Sequence, residues 1–177
     1  MNLRPLNRAD LRAVAANMRS SDRREIFATR FDENPELLAE ECLASFSLGA
    51  IIADKDGAPI AAIGAFEMWP GVWSVWMFAT EGWPRVALSA TRFVKRKLAP
   101  ALRALGLHRA ECRSSADHDS AHRWLRHLGA EIEAEYRDFG KNCETFIGFV
   151  WRNENVREPV QDTETAKDQN AGSPAKG

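Results

Sequence analysis

The sequence is poor in cysteine, has no long apolar run and carries almost no net charge. Its three cysteines, Cys42, Cys112 and Cys143, are odd in number, widely separated and form no C-x-x-C pair. Neither a zinc knuckle nor a disulfide framework is indicated, and a reducing, cytoplasmic setting is the expectation. No apolar stretch approaches the roughly 20 residues that span a bilayer. The opening MNLRPLNRADLR lacks the apolar block of a secretory signal. A formal charge of −1 gives no overall attraction to nucleic acid or to an anionic membrane, so neither is an expected partner. What remains is a chain of 177 residues, 45% hydrophobic and 28% charged, which suits one globular domain with a substantial core. Of six tryptophans, four lie between Trp69 and Trp83. That aromatic-rich strand and its flanks are expected at the centre of the core.

The pattern along the chain predicts a mixed succession of elements. Asn2–Leu6 reads as a short strand. Asn7 caps a helix over about Arg8–Met18, and Ser20-Ser21-Asp22 caps a shorter one through Ile26 and Phe27. Asn34-Pro35-Glu36 starts a helix that runs to about Phe46. Gly49–Asp54 and Ile60–Glu67 are apolar runs joined by Lys55-Asp56-Gly57, a hairpin signal. Pro70-Gly71 turns into Val72–Thr80, apolar at nearly every position and so expected to be covered on both faces. A long helix follows from about Pro84 to Leu105, kinked or split by Pro100. Leu107–Arg113 is the next strand, and Glu131–Arg137 and Glu144–Trp151 read as a final antiparallel pair around the Asp138–Asn142 loop. Residues 153–177 contain no aromatics and two aliphatics larger than Ala, Val156 and Val160. They are expected to form a disordered polar tail after a domain of residues 1–152.

Between the late strands lies Asp117–Ala130, DHDSAHRWLRHLGA. Ala121, Trp124, Leu125 and Leu128 make one apolar stripe, Asp117 or Asp119 is placed to cap it, and Gly129 to close it. A small residue, two variable, two apolar, then Leu-Gly resembles the fourth helix of the GNAT acetyltransferase superfamily. The element order over Met1–Trp151 resembles its α/β fold, a central mixed, twisted sheet of about six to seven strands with helices on both faces. Within that superfamily the chain most resembles the GNAT-like internal virion, or core, proteins of short-tailed phages. Ala15-Ala16-Asn17-Met18-Arg19, Asp22-Arg23-Arg24-Glu25, Phe78-Ala79-Thr80 and Arg123–Gly129 carry that resemblance.

The resemblance implies a site for acetyl-CoA where Val72–Thr80 and Leu107–Arg113 splay apart. It places the pantetheine arm on the main chain of Met77, Phe78 and Ala79. It places the pyrophosphate at the start of the following helix, near Gly82 and Arg85, where free N–H groups and the helix dipole favour an anion. The superfamily's Gln/Arg-x-x-Gly-x-Gly/Ala motif falls on Arg85 to Ala90, with Leu88 at the first glycine position. A leucine there either obstructs the ligand or points away from it. Thr80-Glu81-Gly82-Trp83 is an alternative cradle whose acid would repel phosphate. The tyrosine that protonates the leaving thiolate in many members is Leu125 here, and the family's asparagine on that helix aligns with His118.

The candidate catalytic residues are Glu67 and His118. Glu67 ends a central strand and is placed to deprotonate an acceptor amine; the alternative is a solvated strand-end acid. Glu81 is a weaker candidate of the same kind. His118 is a candidate acid or base in place of the missing tyrosine. His118 and His122 are also one turn apart, but no third ligand converges and no metal site is expected. Capping or solvated-face positions are the competing reading for both histidines. Arg92, Lys95, Arg96, Lys97 and Arg103 are read as a solvated face of the long helix, Cys112 as an apolar strand residue, and the tryptophan cluster as core. Two functions of different class follow. One is an acetyl-CoA-dependent N-acetyltransferase acting on an amine. The other, favoured by Leu88 and Leu125, is a catalytically inactive phage protein of the virion or its assembly, with phage structural proteins as partners and the host cytoplasm or virion as its location. Exposed sheet edges permit a homodimer.

Overall fold

A computed structural model describes residues 2–153; the expected tail lies otherwise outside the described residues. Strand β1 (Asn2–Arg4) leads to helices α1 (Arg8–Ala16), α2 (Ser20–Ala28) and α3 (Pro35–Ser45). Strands β2 (Leu48–Ala53), β3 (Pro59–Trp69) and β4 (Val72–Ala79) follow, then α4 (Trp83–Phe93), a π-helical turn (Val94–Leu98) and α5 (Ala99–Ala104). The chain continues through β5 (Arg109–Ser115), α6 (Asp119–His127), β6 (Glu131–Tyr136) and β7 (Phe146–Arg152). The seven strands form one sheet in the order β1-β2-β3-β4-β5-β7-β6. Among the described residues only β4 and β5 pair in parallel; the other neighbours are antiparallel.

Local chemistry explains most boundaries. Asn7 accepts from the Asp10 N–H, and Asn34 accepts from Glu36 and Leu37, so both helices begin where a short amide can satisfy free donors. Gly71 turns β3 into β4 at φ 78°, and Gly129 follows α6 at φ 89°, conformations open to glycine. The expected split at Pro100 is present: the ladder loosens into the π-helical turn, and Pro100 sits in the first turn of α5, where its missing N–H costs little. Two expected caps are absent. Helix α2 starts at Arg19 without a side-chain cap, because Asp22 is buried against β4 instead. Helix α6 starts at His118 without one, because Asp117 accepts from the Ser115 hydroxyl.

Strand alternation sorts the core into two layers. Ile51, Ala62 and Phe78 pack under α1, α2 and α3 with Leu11, Val14 and Phe27. Ile52, Ala61, Ile63 and Trp73 face the other way, toward Val86, Ala90 and Phe93 of α4 and Leu98 and Leu102 beyond it. Leu125 of α6 packs on Phe149 in the same second layer. The tryptophans divide: Trp73 is buried and Trp76 lies across Gly64, but Trp69, at the β3–β4 turn, is 59% exposed. No helix of the described residues is long and apolar enough to cross a membrane.

Candidate active site

The parallel pair β4–β5 is short. Val72, Trp73 and Ser74 pair with Arg109, Ala110 and Glu111, and the ladder then stops although both strands run on. The strands part, and a cavity of about 420 Å³ lies where the ladder would have continued. Val75, Met77, Phe78, Cys112 and Ser114 line it from the two strands, and Leu98, Leu102, Trp124 and Leu125 from the helices of the second layer.

Hydrogen bonding fixes which part of β4 faces this slot. The Thr80 N–H donates to the Ile60 carbonyl across β3. With Phe78 opposite Ala62, alternation turns the main chain of Phe78 toward β3 and that of Val75, Met77 and Ala79 toward the slot. At Ala79 the protein answers its own edge: the Ala79 N–H donates to Asp22 Oδ2 at 2.8 Å, and the Ala79 carbonyl accepts from the Arg19 N–H at 2.9 Å. The open edge is therefore Val75–Met77.

A polar cluster spans the far end of the slot. Asp22 is 3% exposed and accepts from Arg19 Nε at 2.6 Å. Burial pushes its carboxyl above the usual range, against the pull of Arg19. Glu25, one turn later, accepts at Oε2 from the Ser114 hydroxyl (2.7 Å) and the Ser115 N–H (2.8 Å). His118 Nδ1 lies 2.9 Å from the same oxygen. The ring is 5% exposed, and its Nε2 has no hydrogen-bond partner and stands 3.5 Å from Asp22 Oδ1. Helix α2 thus reaches both parted strands, Asp22 on β4 and Glu25 on β5. His122 is buried against Phe149, and desolvation holds its pKa below the usual value. Both histidines are therefore interior rather than solvated. No group of three metal-type ligands gathers among the described residues.

The other sequence candidates fall elsewhere. Glu67 is exposed, does not line the cavity, and accepts from the Gly71 N–H at 2.8 Å, bracing the β3–β4 turn. Glu81 accepts from the Ser20 N–H. At the start of α4 the donors are already engaged: Gly82 donates to Thr80 Oγ1, Trp83 to the Thr80 carbonyl and Arg85 to the Gly82 carbonyl, while Pro84 has no N–H. The Arg85 guanidinium pairs with Asp54 at 3.3 Å. Ala90 is fully buried in the second layer. Leu88 is 61% exposed on the side of α4 away from Val86 and Ala90. Leu125 presents only hydrocarbon to the cavity. Cys112 also faces it, and burial raises its thiol to about 12. Met77 and Phe78 line the cavity, whereas Ala79, Gly82, Arg85 and Ala90 do not. The residues missed were Glu25 and Asp22. The sequence signal lay in Asp22-Arg23-Arg24-Glu25, whose acids are three apart and so share one face of a helix.

No family model and no curated protein matches the chain. Solved structures do. A GNAT superfamily phosphinothricin acetyltransferase from Sinorhizobium meliloti, in complex with AcCoA, aligns over 93% of this chain and 95% of its own at 16% identity, with a TM-score of 0.69. Ard1 from Thermoplasma volcanium aligns over 85% and 96% at 12% identity and 0.66. A GCN5-related N-acetyltransferase from Kribbella flavida aligns over 86% and 97% at 13% identity and 0.64. At such identities what is shared is the fold: the seven-stranded mixed sheet is that of the GNAT acetyltransferases.

Proposed function

We propose that the chain is an N-acyltransferase that takes the acyl end of acetyl-CoA into the slot between β4 and β5 and passes the acyl group to an amine. The observation that carries this reading is the end of the β4–β5 ladder at Ser74 and Glu111, with a cavity beyond it. Val75 and Met77 offer a strand edge to an amide-bearing arm, which would dock as an added strand docks. The apolar lining from Leu98, Leu102 and Leu125 excludes water. Bound there, the coenzyme would supply a thioester carbon open to attack by a neutral amine. In this reading His118 Nε2 and Glu25 take the proton that the amine must lose. The start of α4 does not fit a diphosphate in the family's manner, because its N–H groups are internally bonded; the fit is to the arm and the acyl end.

That self-pairing, together with Arg19 and Asp22 on Ala79, favours a second reading. Here the fold is kept without the coenzyme, as an internal virion or assembly protein of a short-tailed phage would keep it. A thermal-shift titration of the full chain with acetyl-CoA separates the two. A ligand held by the folded state raises Tm as its concentration rises. A rising Tm is expected; a flat response up to roughly millimolar ligand removes the transferase reading and leaves the second.

A further inference from the structure

Glu25 borders two spaces. One is the slot, and the other is an adjoining open hollow of about 400 Å³ on the α2 face of the sheet; Ile26 and Arg113 line both as well. Ile26 of α2, Thr29 and Arg30 just beyond it, Arg113 of β5, and Phe139 and Phe146 form the rest of that hollow. The three described hydrogen bonds to the Glu25 carboxylate all fall on Oε2. Oε1 is left as an acceptor held in fixed orientation by its partner oxygen.

Arg113 stands on the same hollow. Its guanidinium lies 5.4 Å from the ring centres of both Tyr136 and Phe139. Stacking of this kind holds the planar group while leaving its edge N–H groups directed outward. The nearest carboxylate described for it is Glu111, at 3.8 Å, too long for a hydrogen bond. Arg30 adds a second cation, already paired with Glu41 at 2.5 Å. The hollow therefore has an oriented anion and a weakly paired cation on its walls, and both residues also line the slot.

From this polarity we propose that the hollow is the acceptor site and that its ligand is an amino-carboxylate. The ammonium of an α-amino acid or a close analogue meets Glu25 Oε1, and its carboxylate meets the edge of Arg113, bidentate geometry being what a guanidinium offers. The role of acceptor rests on the acyltransferase reading; the binding of such a molecule does not. In transfer, the bound ammonium gives one proton to Glu25, the neutral nitrogen bonds to the thioester carbon as the C–S bond breaks, and the second proton lost from nitrogen passes to the leaving thiolate.

The full chain is titrated by thermal shift with each of the twenty standard α-amino acids, and with methylamine and acetate. At least one amino acid is expected to raise Tm by about 3–6 °C at roughly ten times its Kd, and the two half-molecules at equal concentration are not. Glu25→Gln keeps an oxygen for Ser114, Ser115 and His118 but puts an amide nitrogen at the open position. Arg113→Met keeps a stem over the two rings without the charge. Each should weaken binding by roughly tenfold or more, while Arg137→Ala, on an exposed residue outside the hollow, changes nothing. If Glu25→Gln does not fold, Arg113→Met decides. No response to any amino acid, an equal response to methylamine, or variants that bind as the parent does would overturn the proposal. Acetyl-CoA titrated alone reports separately on the acyltransferase reading.

Discussion

Leu88 occupies a position where the resemblance leads one to look for glycine, and the helix turns it outward. Its side chain is exposed on the face of α4 opposite the core, so it neither packs nor crowds the slot. Leu88→Gly should therefore lower stability by about 1 kcal/mol through helix propensity alone. It should leave any response to acetyl-CoA unchanged, as parallel denaturant and ligand titrations would read. Asp22 is the reverse case. A Ser-Ser-Asp run looks like a helix start because capping is local, but the Ala79 N–H that claims this carboxylate is 57 residues away. Sequence spacing carries no sign of such a partner. The thiols follow burial in the same way. Cys42 and Cys112 are raised to about 12 by desolvation, whereas Cys143 is exposed in the loop before β7. A thiolate reagent near neutral pH should label Cys143 first and the other two more slowly, because their raised thiols hold little thiolate; equal rates at all three would contradict the placement.

Among the elements, what the sequence revealed is what neighbouring residues decide. The Asn7 and Asn34 caps, the Gly71 turn and the split near Pro100 are all where local chemistry puts them. Strand β5 begins two residues later than its apolar pattern suggested, because the chain pairs with β7 from Arg109 to Ser115 and Leu107 turns into the second-layer core. Strand β6 is held by charge more than by packing. Glu133 receives both Arg109 and Arg152, and these two hold its carboxyl down at about 2 against an ordinary 4.5. A carboxyl that is more acidic in the fold than in the unfolded chain stabilises fully above about pH 4.5. That contribution disappears as pH falls toward 2. The parent protein should lose Tm through this window, and Glu133→Gln should lose less. Added salt should narrow the gap, because the group is exposed to solvent screening.

At the scale of the molecule, element order and apolar alternation were enough to indicate a central sheet with helices on both faces, since each element must bury its apolar side on another; the mixed sheet of about six to seven strands was what the resemblance implied. They did not reveal what fills the far end of the parting. That assembly draws on α2, β4, β5 and the turn before α6, and only the folded chain brings these together. The sheet consists of two leaves, β1–β4 and β5–β7, that share three residue pairs. Native-state hydrogen exchange should resolve them as two cooperative groups. Glu25→Ala, which removes the tie from α2 to β5, should lower protection mainly in β5, β6 and β7; a uniform loss across both leaves would argue against the division. Mechanical compliance in this protein should therefore gather along one line rather than spread through its rim. Whatever wedges into that line acts on the spacing of both halves at once, so occupancy there is felt by every strand of the sheet.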